Sequence, residues 1–130
     1  MIHITVYFSI PLALLMLLLA LNVSRLRIKF KVSLGTGNNK ALEGAIRTHA
    51  NAIENIPILL FLMLLFELSG GQTLWLWITG STLVAARVLH AVGMLKRIFI
   101  LRRISAVMTY LLFILLPLLL FMQMIGGGTH

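Results

Sequence analysis

Apolar residues run along this chain in four blocks, too continuous for strands and too long for the core of a small soluble domain. The blocks cover about residues 4–23, 50–68, 73–93 and 104–124. Each is close to the ~20 residues a helix needs to cross the hydrocarbon layer of a bilayer. In that layer the backbone finds no water to bond, which leaves helices and closed barrels. Barrel strands alternate apolar and polar positions, and the run Leu14-Leu15-Met16-Leu17-Leu18-Leu19 does not. The pattern predicts an all-α integral membrane protein. It is read as a four-transmembrane-helix bundle forming a single domain, residues 1–130, with helices at about 2–30, 41–69, 73–97 and 101–124.

The interruptions are short. Residues 33–39, rich in Gly and Asn, form the longest connection and are expected to be a mobile cover for a site. Gly70-Gly71 ends the second helix, and the third and fourth helices are joined by a very short turn. Pro57 and Pro117 fall inside apolar blocks, where a missing amide and a clash with the preceding turn favour a bend.

Composition sharpens this picture. Hydrophobic residues make up 60% of the chain and charged residues 11%, against roughly half and a quarter in soluble domains. The formal net charge of +8 would raise nucleic acid as a partner for a soluble chain, but the positions of the charges exclude it. Arg25, Arg27, Lys29, Lys31, Lys40 and Arg47 surround the first connection, and Arg87, Lys96, Arg97, Arg102 and Arg103 the third. These are all the Lys and Arg residues in the sequence. The positive-inside rule then puts connections one and three in the cytoplasm and both termini outside, with some of the outermost charges serving anionic lipid headgroups. No Lys or Arg precedes the first block, so it reads as a retained helix rather than a cleaved signal. The chain has no cysteine, and any reactive thiol must come from a ligand.

Candidate chemistry concentrates on the second helix. Glu43, Arg47, Asn51 and Glu54 fall within about 80° of arc on one helical face. Glu54 lies well inside an apolar block, where an unpaired carboxylate is costly, and such groups face a bundle interior or a cavity. Two readings stand: an internal ion-pair ladder that fixes packing, or a polar ligand site between helices, which is preferred. Arg87 and His90 on the third helix, and Arg102 and Arg103 at the start of the fourth, add to an electropositive pocket at the cytoplasmic end. Such a pocket suits a small anion or a lipid headgroup. The histidines show no metal-ligand spacing, and no metal is expected. Trp75 and Trp77 suit an interfacial belt.

The stretch from Glu43 to Pro57, with Arg47, His49, Asn51 and Glu54 at fixed spacing, resembles the second-helix signature of the MAPEG family, the membrane-associated proteins in eicosanoid and glutathione metabolism. Arg25-Leu26-Arg27 matches the end of the family's first helix. Ala86-Arg87-Val88-Leu89-His90 matches its third, and Arg103 falls at its fourth-helix arginine. The likeness covers nearly the whole chain and is greatest to the short bacterial branch, which implies the bacterial inner membrane. It also implies a homotrimer that binds glutathione as co-substrate between neighbouring subunits near the cytoplasmic face. Arg25, Arg47, Asn51, Glu54 and His90 would contact glutathione, with Glu43 and Arg87 in support. Arg103 would stand beside the sulfur, with Arg102 as the alternative. The sequence departs from family members at Ala50, where eukaryotic ones often place arginine, at Met94, where several place tyrosine, and at Ile104, where a polar residue can follow the arginine.

The implied activity is a glutathione-dependent transferase or peroxidase acting on a lipophilic small molecule from the membrane. A non-catalytic lipid-binding or scaffold protein of the same fold is the alternative. A small transporter is disfavoured, because the two halves lack a matching pair of broken helices.

Overall fold

The structure, a computed structural model, describes residues 3–127. Four helices follow one another: α1 (Ile4–Phe30), α2 (Lys40–Leu68), α3 (Thr73–Leu95) and α4 (Phe99–Gly126). All four are long and apolar enough to cross a membrane. The expected start of α1 at residue 2 lies outside the described residues. The third connection has the expected length but lies two residues earlier: α3 ends at Leu95 rather than at residue 97, and α4 starts at Phe99 rather than at residue 101. Arg97 takes a left-handed conformation with φ 56°, which reverses the chain in a few residues. The helices α2 and α4 run unbroken through Pro57 and Pro117.

Among the described residues α1 packs on α2 and α3, α4 packs on the same two helices, and α1 and α4 do not meet. The bundle is therefore a diamond with α2 and α3 on its short diagonal. Two grooves result, one bounded by α1, α2 and α3, the other by α2, α3 and α4. Leu12, Ile56, Leu59, Met63, Leu83 and Leu116 fill the centre. The outside is equally apolar, with Leu18, Phe61, Ile114 and Phe121 more than half exposed. In water that surface would be a liability; in lipid it is the solvated surface. Lipid tails are as apolar as leucine, so hydrophobic burial does not draw the helices together. Close packing and small residues take over. At Gly80 an added Cβ would overlap the Phe8 ring, so α1 and α3 approach through this glycine. Trp77 caps the same contact, edge-on to Phe8 at 5.3 Å and stacked near Tyr7.

Three buried threonines bond back within their own helices. Thr48 donates to the Gly44 carbonyl, Thr79 to Trp75 and Thr109 to Ser105, at 2.6–2.8 Å. No water reaches these groups in a bilayer, and the bond back to the preceding turn removes the cost of an orphan donor.

The two ends are built differently. At one end the Glu67 carboxylate accepts hydrogen bonds from the backbone amides of His3, Ile4 and Thr5 at 2.7–2.9 Å. These are free amides at the start of α1, capped by a side chain from another helix. Gln123 donates to the Ser69 carbonyl at the same end. At the other, basic end the Arg27 guanidinium donates to the carbonyls of Gly35 (2.8 Å) and Val32. The 33–39 connection, expected to be a mobile cover, is thus tied to α1. Asn39 then caps α2 by accepting from the Leu42 amide at 2.9 Å.

Candidate functional site

The polar stripe of α2 does not point into the bundle. One face of this helix buries Leu42, Ala45, Ala52, Ile56, Leu59 and Met63, and those apolar residues claim the interior. Glu43, Arg47 and Glu54 are exposed on a single chain and Asn51 is half-buried. The internal ion-pair ladder is absent: among the described residues the one ion pair is Arg47–Glu43, loose at 3.9 Å, with side chains 73% and 50% exposed. The stripe instead forms one wall of the groove bounded by α2, α3 and α4.

That groove holds two adjoining cavities. The larger, about 570 Å³, lies at the basic end. From α2 it takes Lys40, Glu43, Gly44, Arg47 and Asn51, from α3 His90 and Met94, from the third connection Arg97, and from α4 Arg102. The smaller, about 160 Å³, lies deeper in the span. Asn51 and His90 line both, and Glu54, Asn55, Arg87, Thr109 and Tyr110 belong to the deeper one.

Arg87 is the most unusual residue among them. Its side chain is 3% exposed, yet no carboxylate pairs with it. One terminal nitrogen donates to the Asn51 carbonyl oxygen at 2.8 Å, and its Nε has no partner among the described residues. Asn51 is held in turn, because the Asn55 side-chain amide donates to its backbone carbonyl at 2.7 Å. A buried guanidinium with spare donors at membrane depth calls for an acceptor in the space beside it.

The sequence-predicted residues divide by position. Glu43, Arg47, Asn51, His90 and Arg102 meet in the larger cavity, and Glu54 and Arg87 in the deeper one. Arg25 lies on the opposite side of the α2–α3 pair, bonded to Asn22 and lining a third cavity. Arg103 lines none of these cavities and rests over the Phe99 ring at 5.5 Å. Of the two neighbouring arginines, then, Arg102 reaches the cavity within one chain and Arg103 faces outward. Gly93 makes this possible: a Cβ there would stand 2.9 Å from the Arg102 amide, so only glycine lets the start of α4 close on α3. Lys40, Arg97 and Tyr110 were not singled out from the sequence. Lys40 and Arg97 read as ordinary flanking charges, and only the turn geometry brings them inward. Tyr110 carries a weak signal, a polar residue two turns beyond the Arg102–Arg103 pair in an apolar block. No group of His, Asp and Glu among the described residues is arranged to hold a metal.

The MAPEG family model matches residues 5–122. The chain belongs to the MAPEG family. Two curated relatives, each named inner membrane protein YecN, come from Escherichia coli K12 and Escherichia coli O6:H1. Each is 37% identical over 115 residues, covering 88% of both chains. No solved structure matches significantly. The cavities described above are those of a single MAPEG chain.

Proposed function

We propose that this MAPEG protein is a glutathione-dependent transferase or peroxidase of the bacterial inner membrane, acting on lipophilic electrophiles. The observation that carries the reading is the mixed lining of the larger cavity. Glutathione has two carboxylates and one ammonium group. Arg47, Lys40, Arg97 and Arg102 offer donors for the carboxylates, and Glu43 and Asn51 offer acceptors for the ammonium. A cavity of about 570 Å³ is also within the range that encloses small-molecule ligands. A purely lipid-binding groove would have no use for that set of charges.

The chemistry follows from the guanidinium at the start of α4. A free thiol has a pKa of about 8.5, and a nearby cation favours the thiolate. In this reading Arg102 stabilises the sulfur from within the same subunit, and Arg103 serves a neighbour or shields the site. The thiolate attacks an electrophilic carbon, adding across its double bond or displacing a leaving group that departs with the electron pair. At a lipid hydroperoxide it attacks the terminal oxygen, the O–O bond breaks, the alkoxide takes up a proton to leave as an alcohol, and a second glutathione reduces the resulting sulfenic acid to disulfide and water. The scheme includes assembly as a homotrimer. An exposed Glu54 at membrane depth and a groove open to lipid both require a cover, and a second copy supplies one. Arg25, on the far side of α2–α3, reaches glutathione only across such a boundary. The orientation with the site near the cytoplasm rests on the Lys and Arg asymmetry alone, and the YecN relatives' name supports the inner membrane as the location.

Calorimetry of detergent-purified protein with glutathione tests the reading. Binding is expected in the wild type and lost in Glu43→Gln and Arg47→Ala. Arg102→Ala is expected to retain trimers and lose conjugation of a lipophilic electrophile. Activity lost in Arg103→Ala alone would transfer the sulfur contact to Arg103. No binding at millimolar glutathione would refute the enzyme reading and favour a lipid-binding protein of the same fold.

A further inference from the structure

The groove bounded by α1, α2 and α3, on the other side of the α2–α3 pair, holds a cavity of about 320 Å³ at the basic end. Arg25 from α1, Lys40 from the start of α2 and Arg97 from the third connection converge on it, and no carboxylate lines it. The whole chain has three acidic residues, and none is available here. Glu43 sits with Arg47 in the opposite groove, Glu54 is at the deeper cavity, and Glu67 caps α1 at the far end. Three cations from three elements are therefore brought together without an internal counter-ion.

Two features show a prepared site rather than a solvated fringe. Arg25 is oriented by Asn22, which accepts from its guanidinium at 2.9 Å. Arg97 is held at φ 56°, a conformation that costs a non-glycine residue free energy, and this conformation directs its side chain to the junction of the two grooves. Leu26 and Leu95 complete the lining at the level of the cations.

We propose that this cavity binds a phosphate group, and that its source is an anionic phospholipid whose acyl chains run into the surrounding lipid. An all-cationic lining suits a phosphodiester, which carries no ammonium to be matched, whereas glutathione also needs a carboxylate acceptor. The ends of α1 and α3 and the start of α2 stand at the height of the headgroups, so the phosphate enters without leaving its layer. The cavity shares Lys40 and Arg97 with the larger one, and lipid retention is read in the absence of glutathione, so failure of this proposal and failure of the glutathione reading are distinguishable.

Native mass spectrometry of detergent-purified protein supplied with phosphatidylglycerol or phosphatidylcholine tests it. Retained phosphatidylglycerol, in excess over phosphatidylcholine, is the expected result. Removing one cation should weaken retention about fivefold and removing two about thirty-fold. Arg25→Gln tests the first case, touching this cavity and not the larger one. Lys40→Gln with Arg97→Asn tests the second, asparagine being chosen because it tolerates a left-handed backbone. Lys29→Gln with Lys31→Gln removes equal charge from the same end outside the cavity and should leave retention intact. Displacement of the lipid by millimolar inorganic phosphate would keep the phosphate site and assign it to a soluble ligand. Equal retention of both lipids, or equal loss in the two double variants, would overturn the proposal.

Discussion

Glu67 offers the best-defined perturbation in the molecule. Its carboxylate receives three backbone amides from the start of α1, at 2.8 Å from His3, 2.7 Å from Ile4 and 2.9 Å from Thr5. In Glu67→Ala the His3 amide, which is exposed, turns to water at little cost. The amides of Ile4 and Thr5 are partly buried and lose a charged acceptor, worth about 1.5–3 kcal/mol apiece. Taking the lower value for both, the first turn of α1 opens more easily by about 3 kcal/mol, or about 100-fold. Amide hydrogen exchange followed by mass spectrometry reads this directly on a peptide spanning residues 4–10. Glu67→Gln keeps one oxygen for His3 and Ile4 but no charge, and should fall between alanine and wild type. Glu67→Asp is a methylene short and should behave like alanine. Exchange in residues 4–10 that is unchanged by Glu67→Ala would refute the reasoning, because the carboxylate would then be replaceable by water. Ligand binding at the basic end, on the other side of the span, should be the same in all three variants.

Other expectations follow from the packing and the site. Asn51→Leu leaves the Arg87 guanidinium without its acceptor and should destabilise the protein by about 3 kcal/mol or more, seen as a lower thermal midpoint in detergent. Arg87→Met should cost much less, because it removes the buried charge together with the unmet donor; a larger loss than in Asn51→Leu would show that Arg87 is paired in the assembled protein. Gly93→Ala must push the first turn of α4 away from α3. It should reduce kcat/KM of the proposed conjugation about tenfold or more through misplacement of Arg102, with a smaller change in thermal midpoint. Gly80→Ala meets the Phe8 ring and should lower stability by about 1–3 kcal/mol without touching the cavities, which a thermal scan beside a ligand-binding measurement separates.

Much of the site was legible because it lies on one helix. Glu43, Arg47, Asn51 and Glu54 share a face by periodicity alone, and their spacing also carried the family resemblance that the family match now shows. Arg87 and His90 were visible for the same reason, as polar residues one turn apart in an apolar block. Arg97 was not, since a basic residue after a helix reads as a flank until a left-handed turn directs it inward. Glu67 went unremarked because an acidic residue at a helix end is ordinary, and its partners are more than sixty residues away in sequence.

By itself the sequence determined that this protein is four membrane-spanning helices with a basic end, because hydrocarbon thickness and backbone bonding allow little else for such blocks. It also determined which α2 residues share a face, because helical period is a local property. Only the tertiary structure decided which way that face looks. The apolar face of α2 took the interior, and the charged stripe was left to line a groove on the outside of the bundle. The structure also decided that Arg102 rather than Arg103 lines the larger cavity within one chain, and that Arg25 falls in a different groove from Arg47. Those outcomes depend on the diamond arrangement, in which α1 and α4 never meet. That arrangement follows from which side chains let helices approach, among them Gly80 beneath Phe8 and Gly93 beneath Arg102, and no local pattern encodes it.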